Sequence, residues 1–580
     1  MSSVVAALAL TLSLAACNEA QTGNDDSASQ GPILPIGLSG SQGVSAQDVT
    51  GEYLADPGDG ENWPSVGNGY ANNRFSKLDT LTPDNLSDFG MIWSAPLAED
   101  EGRLATPIAV DGRIYLGDPV HGVTSWEAVG GQRIWNYNPE IAAPVLDGLD
   151  CTARGPAGVA VARGRIFFGQ RDGRLTALDA STGAVLWSSQ TGNGTSNAIV
   201  GVPLVVGNHV VVGSAPPCGQ SATDAAPRGY VSGYVAQDGQ LGWRFYTVPT
   251  EAQVSEAMGQ GANGLLADAA RSWQNETSAP GGGFVPGNIA FDAMSGDLLF
   301  GTGPRLPQPT GTVEGRGLFT SSLIAIDPET GRYRWHRQLA PGGMGWSANA
   351  PILFASLPLP TEAEDREEEE PGGGESPQRQ VRAAWLPLEN GWLVAATQSA
   401  GYLGFAARYG GGFSPVERYD GETQTALLSE EARERRPEAI HDSWRPASYS
   451  PATGYFYLHR SAVGGSEDRD AVRETLIAYD PAKKRVAWRA GGAGAAPLVT
   501  AGGLLFARYD APFAQGLAIF DARTGDRLYY RADIVPIGGF ATYLSAGKQL
   551  VSFPALMNGK PQMVTMGLGG RARLDNEETP

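Results

Sequence analysis

Five histidines, His121, His209, His336, His441 and His459, are the natural ligands to test for metal chemistry. No two of them stand at a ligand spacing such as His-x-x-x-His, so a zinc site is not expected. No Cys-x-x-Cys-His occurs, which excludes covalent attachment of a c-type haem. Cys151 and Cys218 pair in an oxidising compartment or stay as two free buried thiols, and both readings stand. Closing that loop would stabilise the chain by about 4 kcal/mol on an entropy argument. Asp147, Asp150 and Asp172 can be drawn as a metal site, but isolated aspartates of this kind usually serve β-turns.

The third cysteine has a different setting. Val4–Ala16 is a short apolar stretch ending Leu14-Ala15-Ala16-Cys17, too short to span a bilayer. It resembles the lipobox of bacterial lipoproteins, which implies acylation at Cys17. No Lys or Arg precedes it, a departure from the pattern, and the first basic residue is Arg74. Asn18 rather than Asp follows the cysteine, which implies outer-membrane sorting. Residues 1–17 are thus read as signal peptide and lipobox. Residues 18–60, rich in Gly, Ser, Asn and Asp, are read as a flexible tether reaching roughly 35 Å. A net charge of −20 argues against nucleic acid or an anionic membrane surface as partner. Eight acids and one Arg in Glu362–Glu375 supply a good part of it, within an expected disordered insertion at 361–379.

Whatever chemistry exists must be positioned by a repeat. Leu178–Trp187 reads LDASTGAVLW, Ile326–Trp335 reads IDPETGRYRW, Tyr479–Trp488 reads YDPAKKRVAW and Phe520–Tyr529 reads FDARTGDRLY. Looser copies lie at Trp126–Trp135 and Tyr234–Trp243, and a weak one without the final aromatic at Phe405–Phe413. Each is a strand end, a polar turn with Gly, and a strand closing on an aromatic that packs between neighbouring sheets. Apolar strands precede most copies, at Arg113–Leu116, Arg165–Gly169, His209–Gly213, Asp297–Gly301, Trp392–Thr397, Tyr455–Leu458 and Leu504–Arg508. With 78 Gly and 40 Pro, this is an all-β chain. The expectation is a single β-propeller over residues 61–570, of four-stranded antiparallel blades closed by pairing of N- and C-terminal strands. Eight blades is the count, seven the alternative, with residues 571–580 as a tail. The loop Ser255–Pro286 is an insertion on the functional face.

Asn62-Trp63-Pro64-Ser65-Val66-Gly67, then Asn73–Leu78, Gly242–Pro249, Phe319–Asp327, Trp444–Pro446, Tyr449–Pro451 and Leu498–Phe506, resemble in order the pyrroloquinoline quinone (PQQ)-dependent alcohol dehydrogenases. That resemblance implies an eight-bladed propeller with quinone and Ca²⁺ in its central funnel. It also implies a carboxylate that takes the alcohol proton, and a Trp face under the cofactor.

The chain departs from that pattern where the cofactor would sit. Ser214–Cys218 stands where the family has Gly-Ala-Glu, and Pro304 where it has the Asn calcium ligand. Pro286 replaces the supporting Trp, Ser347 the catalytic Asp, Leu104 a Glu and Ser443 an Asn. Arg154 is the retained cofactor contact. Arg154, Pro286, Pro304, Ser347 and Ser443 thus read as a vestigial pocket with no catalytic or metal-binding residue. In the family's arrangement, Cys151 and Cys218 lie near the funnel mouth, where a disulfide would cross the cofactor's space. The expectation is a lipid-anchored binding or assembly module for an envelope protein complex, without PQQ or Ca²⁺. Its alternatives are an active PQQ- and Ca²⁺-dependent dehydrogenase and a glycan- or polymer-binding propeller.

Overall fold

The repeated turn is held by its own aspartate. Asp179 Oδ1 accepts from the backbone N–H of Ser181 (3.0 Å) and Thr182 (2.9 Å), and Gly183 takes the left-handed φ of +74° that the turn needs. Asp327 serves Glu329 and Thr330, and Asp521 serves Arg523 and Thr524, in the same way.

The closing aromatic then reaches the next sheet. Trp135 Nε1 donates to Ala180 O (3.1 Å), Trp187 to Ala236 O, Trp243 to Pro328 O, Trp488 to Ala522 O and Trp93 to Ala128 O. The indole lies where a Cβ on the neighbouring turn glycine would be, at Gly183, Gly239, Gly331, Gly525 and Gly131 respectively. One residue pair therefore sets the spacing between successive blades. Tyr529 makes the equivalent bond to Phe89 O at 3.2 Å. Trp335 does not. It turns back to Asp297 Oδ2 (2.8 Å) in its own blade, beside the Arg334 ion pairs to Asp297 and Asp327.

The computed structural model describes residues 44–58, 60–141, 158–192, 199, 201–215, 227–248, 269, 272–273, 281–287, 289–306, 317–339, 347–359, 379–387, 393–396, 405–406, 414–415, 418–420, 425–427, 447–462, 473–483, 485–491, 493–511 and 514–571. They form an eight-bladed propeller of antiparallel sheets. Blade one runs from Ile108 to Tyr137, blade two from Val159 to Gln190, blade three from Leu204 to Tyr246 and blade four from Ile289 to Gln338. Blade five starts with Leu353–Leu359, Arg379–Pro387 and Leu393–Ala396. Blade six runs from Ser448 to Gly491 and blade seven from Ala493 to Arg531. Blade eight takes Ala541–Ser545, Lys548–Met557 and Lys560–Leu568 from the C-terminal end, and Phe89–Pro96 as its outer strand. That antiparallel pairing of chain ends is the expected closure.

Two expectations need correction. The tether does not extend to residue 60: Thr50 caps a helix at Gly51–Ala55, and Val49 and Leu54 are buried. Arg163 and Gly164 of blade two donate to Val49 O and Ala46 O, so this stretch is part of the folded body. The apolar residues are too scattered for a periodic signal, yet enough to dock. The weak repeat at Phe405–Phe413 does not hold the third-strand position of blade five, which Leu393–Ala396 occupies; Phe405–Ala406 pairs with Ser414–Pro415 in a separate two-stranded sheet.

Residues 63–76 run across the first strands and plug the channel between them. Trp63 pairs with Ala109, Tyr70 Oη donates to Val205 O, Asn72 Nδ2 to Ile352 O, and the backbones of Phe354, Tyr449 and Val499 donate to Ala71, Asn73 and Arg74. Phe75–Ser76 adds to blade seven as a parallel strand.

Candidate functional site

The second strands of blades one to four reach a glycine, at Gly117, Gly169, Gly213 and Gly301, because the chain entering the next blade passes against it. A Cβ would strike Val159, Ile199, Val285 O and Ala348 O respectively. These strand ends lead into the loops where the quinone pocket is expected, and the segments carrying three of its five assigned positions are joined by hydrogen bonds beside blade four.

Phe284 O accepts from Gly303 N (2.9 Å) and from Asn349 Nδ2 (3.0 Å). Pro304 O accepts from Gly283 N at 3.0 Å, and Thr302 O from Ala348 N at 2.9 Å. The segments carrying Pro286, Pro304 and Ser347 are thereby tied together. Arg154 and Ser443 lie outside the described residues, as do Cys17, Cys151, Cys218, Trp346, most of the 255–286 loop and nearly all of the 361–379 insertion.

The oxygen atoms here are neutral and largely committed to the backbone. Ser214 Oγ accepts from Tyr230 N (2.8 Å), Thr302 Oγ1 donates to Phe319 O (2.7 Å) and accepts from Ser322 N, and Ser347 Oγ accepts from Asn349 N (3.1 Å). Pro286 is buried and offers no side-chain donor or acceptor. Among the described residues, no three His, Cys, Asp or Glu side chains gather where they could hold a cation. Calcium takes six to eight oxygens, carboxylates prominent among them, and a proton-abstracting base must be ionisable. The residues of this site do not fit a quinone–calcium pair.

Two residues here escaped sequence reasoning. Asn349 is buried, and its Oδ1 has no hydrogen-bond partner. Arg305, also buried, stacks its guanidinium 5.0 Å from the Trp273 ring, and burial lowers its pKa. Neither sits in a recognisable motif; the only signal was proximity to Ser347 and Pro304. Leu104, the Glu position, is 40% exposed in a left-handed conformation, bonded through its N–H to Ile537 O.

A second polar cluster lies at the end of the blade-one second strand. Asp118 accepts from the N–H groups of Val120 and His121 and from His121 Nδ1 at 3.0 Å. Burial would raise the Asp118 pKa, but these bonds outweigh it and hold the carboxyl below its usual value. The bond that His121 donates to Asp118 raises the pKa of His121, while burial raises that of Glu101 alongside.

The family described as "Glucose/ethanol/alcohol dehydrogenase, beta-propeller domain" matches residues 63–344. Quinohemoprotein alcohol dehydrogenase ADH IIB of Pseudomonas putida is 29% identical over 89% of this chain and 79% of its own length. The 1-butanol dehydrogenase (cytochrome c) of Thauera butanivorans is 27% identical over 89% and 79%. The crystal structure of the Comamonas testosteroni quinohemoprotein alcohol dehydrogenase superposes with a TM-score of 0.72 at 24% identity, covering 91% of this chain and 84% of that one. Motif order, blade number and these likenesses agree: residues 63–344 match the family's propeller domain, and the chain is similar to quinohemoprotein alcohol dehydrogenases over most of its length.

Proposed function

We propose that this chain is a binding propeller that does not carry the redox cofactor. One observation supports the reading above the others. Beside blade four, the positions that the family fills with Trp, Asn and Asp hold Pro286, Pro304 and Ser347, and the hydroxyls nearby are already engaged by backbone groups. A pocket of neutral, committed oxygens neither compensates a divalent cation nor takes a proton from an alcohol. Asn349, a neutral amide, suits recognition rather than catalysis.

The proposal extends to an anchor at Cys17 in the cell envelope and a protein complex there as partner, supported by the Leu14-Ala15-Ala16-Cys17 sequence. The competing reading is a working PQQ dehydrogenase with a rearranged site, favoured by the alcohol dehydrogenases that share 27–29% identity over most of the chain. Tryptophan fluorescence titrated with PQQ in excess Ca²⁺ separates the two. No saturable quenching is expected; equimolar saturation that a chelator reverses would establish the competing reading.

A further inference from the structure

Arg74 is the first cation in the sequence, and the plug carries it inside the protein. Its backbone is pinned, N–H to Gly67 O and carbonyl to Val499 N–H, with φ at +52°. The side chain is 3% exposed. Among the described residues it forms no ion pair, its one side-chain bond is a long 3.4 Å contact from Nη2 to Thr106 Oγ1, and Nη1 has no partner. Burial lowers its pKa to about 10, which leaves the guanidinium charged at neutral pH. A buried cation without a counter-charge is strongly unfavourable, so an anion that reaches it gains the full desolvated attraction.

The same residue lines a cavity of about 80 Å³ between the plug and the first strands of blades two to five. Val66, Val161, Leu204, Ile289 and Ile352 supply apolar wall. The polar side chains Tyr70 and Asn72 are already bonded to Val205 O and Ile352 O, so Arg74 is left as the unsatisfied donor. The space is smaller than the roughly 150 Å³ that admits a benzene ring. A chain of a few carbons is the matching size.

We propose that this cavity binds a short-chain carboxylate, its two oxygens on the Arg74 guanidinium and its hydrocarbon among the valine, leucine and isoleucine side chains. None of Pro286, Pro304 and Ser347 lines this cavity, so carboxylate binding and quinone binding are read separately.

Thermal unfolding of the full chain in sodium butyrate tests this, against 1-butanol at equal concentration and sodium chloride at equal ionic strength. Butyrate is expected to raise Tm saturably by about 2–4 °C, with no such rise from butanol or chloride. Arg74→Met should abolish the butyrate shift, and Arg74→Lys, which keeps the charge but loses the fork, should weaken binding about tenfold. Equal shifts from butyrate and chloride, or from butyrate and butanol, would overturn the proposal, as would an undiminished butyrate shift in Arg74→Met. Should Arg74→Met fail to fold, the wild-type comparison and Arg74→Lys decide the matter.

Discussion

Trp135 shows how much a single side chain carries. Its ring fills the space over Gly183 and its Nε1 satisfies Ala180 O on the next blade. Trp135→Ala should therefore cost about 3–5 kcal/mol in denaturant unfolding, as large-to-small core changes do. Gly301→Ala places a methyl on Ala348 O beside the site and should destabilise by about 1–3 kcal/mol through the forced backbone shift. The Asp118–His121 pair makes stability pH-dependent with a definite sign. The lowered Asp118 pKa contributes above its ordinary 3.8, and that contribution is lost as pH falls through the folded value. The raised His121 pKa contributes fully below 6.5 and is lost as pH climbs through the folded value. Glu101, raised by burial from 4.5, likewise contributes below that value and loses its contribution as pH climbs. The urea midpoint should fall as pH climbs above the ordinary histidine value of 6.5, and His121→Asn should flatten that fall; an unchanged slope would refute the assignment.

At the level of elements, closure of the ring rests on Phe89–Pro96 against Lys560–Leu568. Replacing Thr565, buried in that pairing opposite Trp93, with Pro removes a ladder donor and should cost about 3 kcal/mol or more, seen as a lowered unfolding midpoint. This scale is also where the sequence was most readable. The Asp–turn–Gly–aromatic phrase specifies local bonds that form as expected at Asp179, Asp327 and Asp521. Blade five was misread because its third strand, Leu393–Ala396, lacks that phrase. The docked stretch around Val49 and Leu54 was missed because two or three buried side chains leave no period. At the site, the positions of Pro286, Pro304 and Ser347 could be read through motif order. Asn349 and Arg305 could not, since burial of a lone polar side chain is a tertiary property.

On the scale of the whole molecule, the chain shares the eight-bladed propeller of its quinoprotein neighbours, and the proposed binding role rests on Pro286, Pro304 and Ser347 standing where the resemblance implies Trp, Asn and Asp. The aromatic docking bonds recur around most of the ring, from Trp93 through Trp243 and again at Trp488 and Tyr529, so blade packing does not draw on the pocket residues. The proposed loss of site chemistry is compatible with this fold, because blade packing and pocket donors use different residues. The decisive measurement is an absorption spectrum and dye-reduction assay on purified protein incubated with PQQ and Ca²⁺, desalted, and supplied with ethanol or 1-butanol. A desalted protein without quinone absorbance and without alcohol-dependent dye reduction is the predicted result. Retained orthoquinone, with alcohol oxidation that a chelator abolishes, would contradict it.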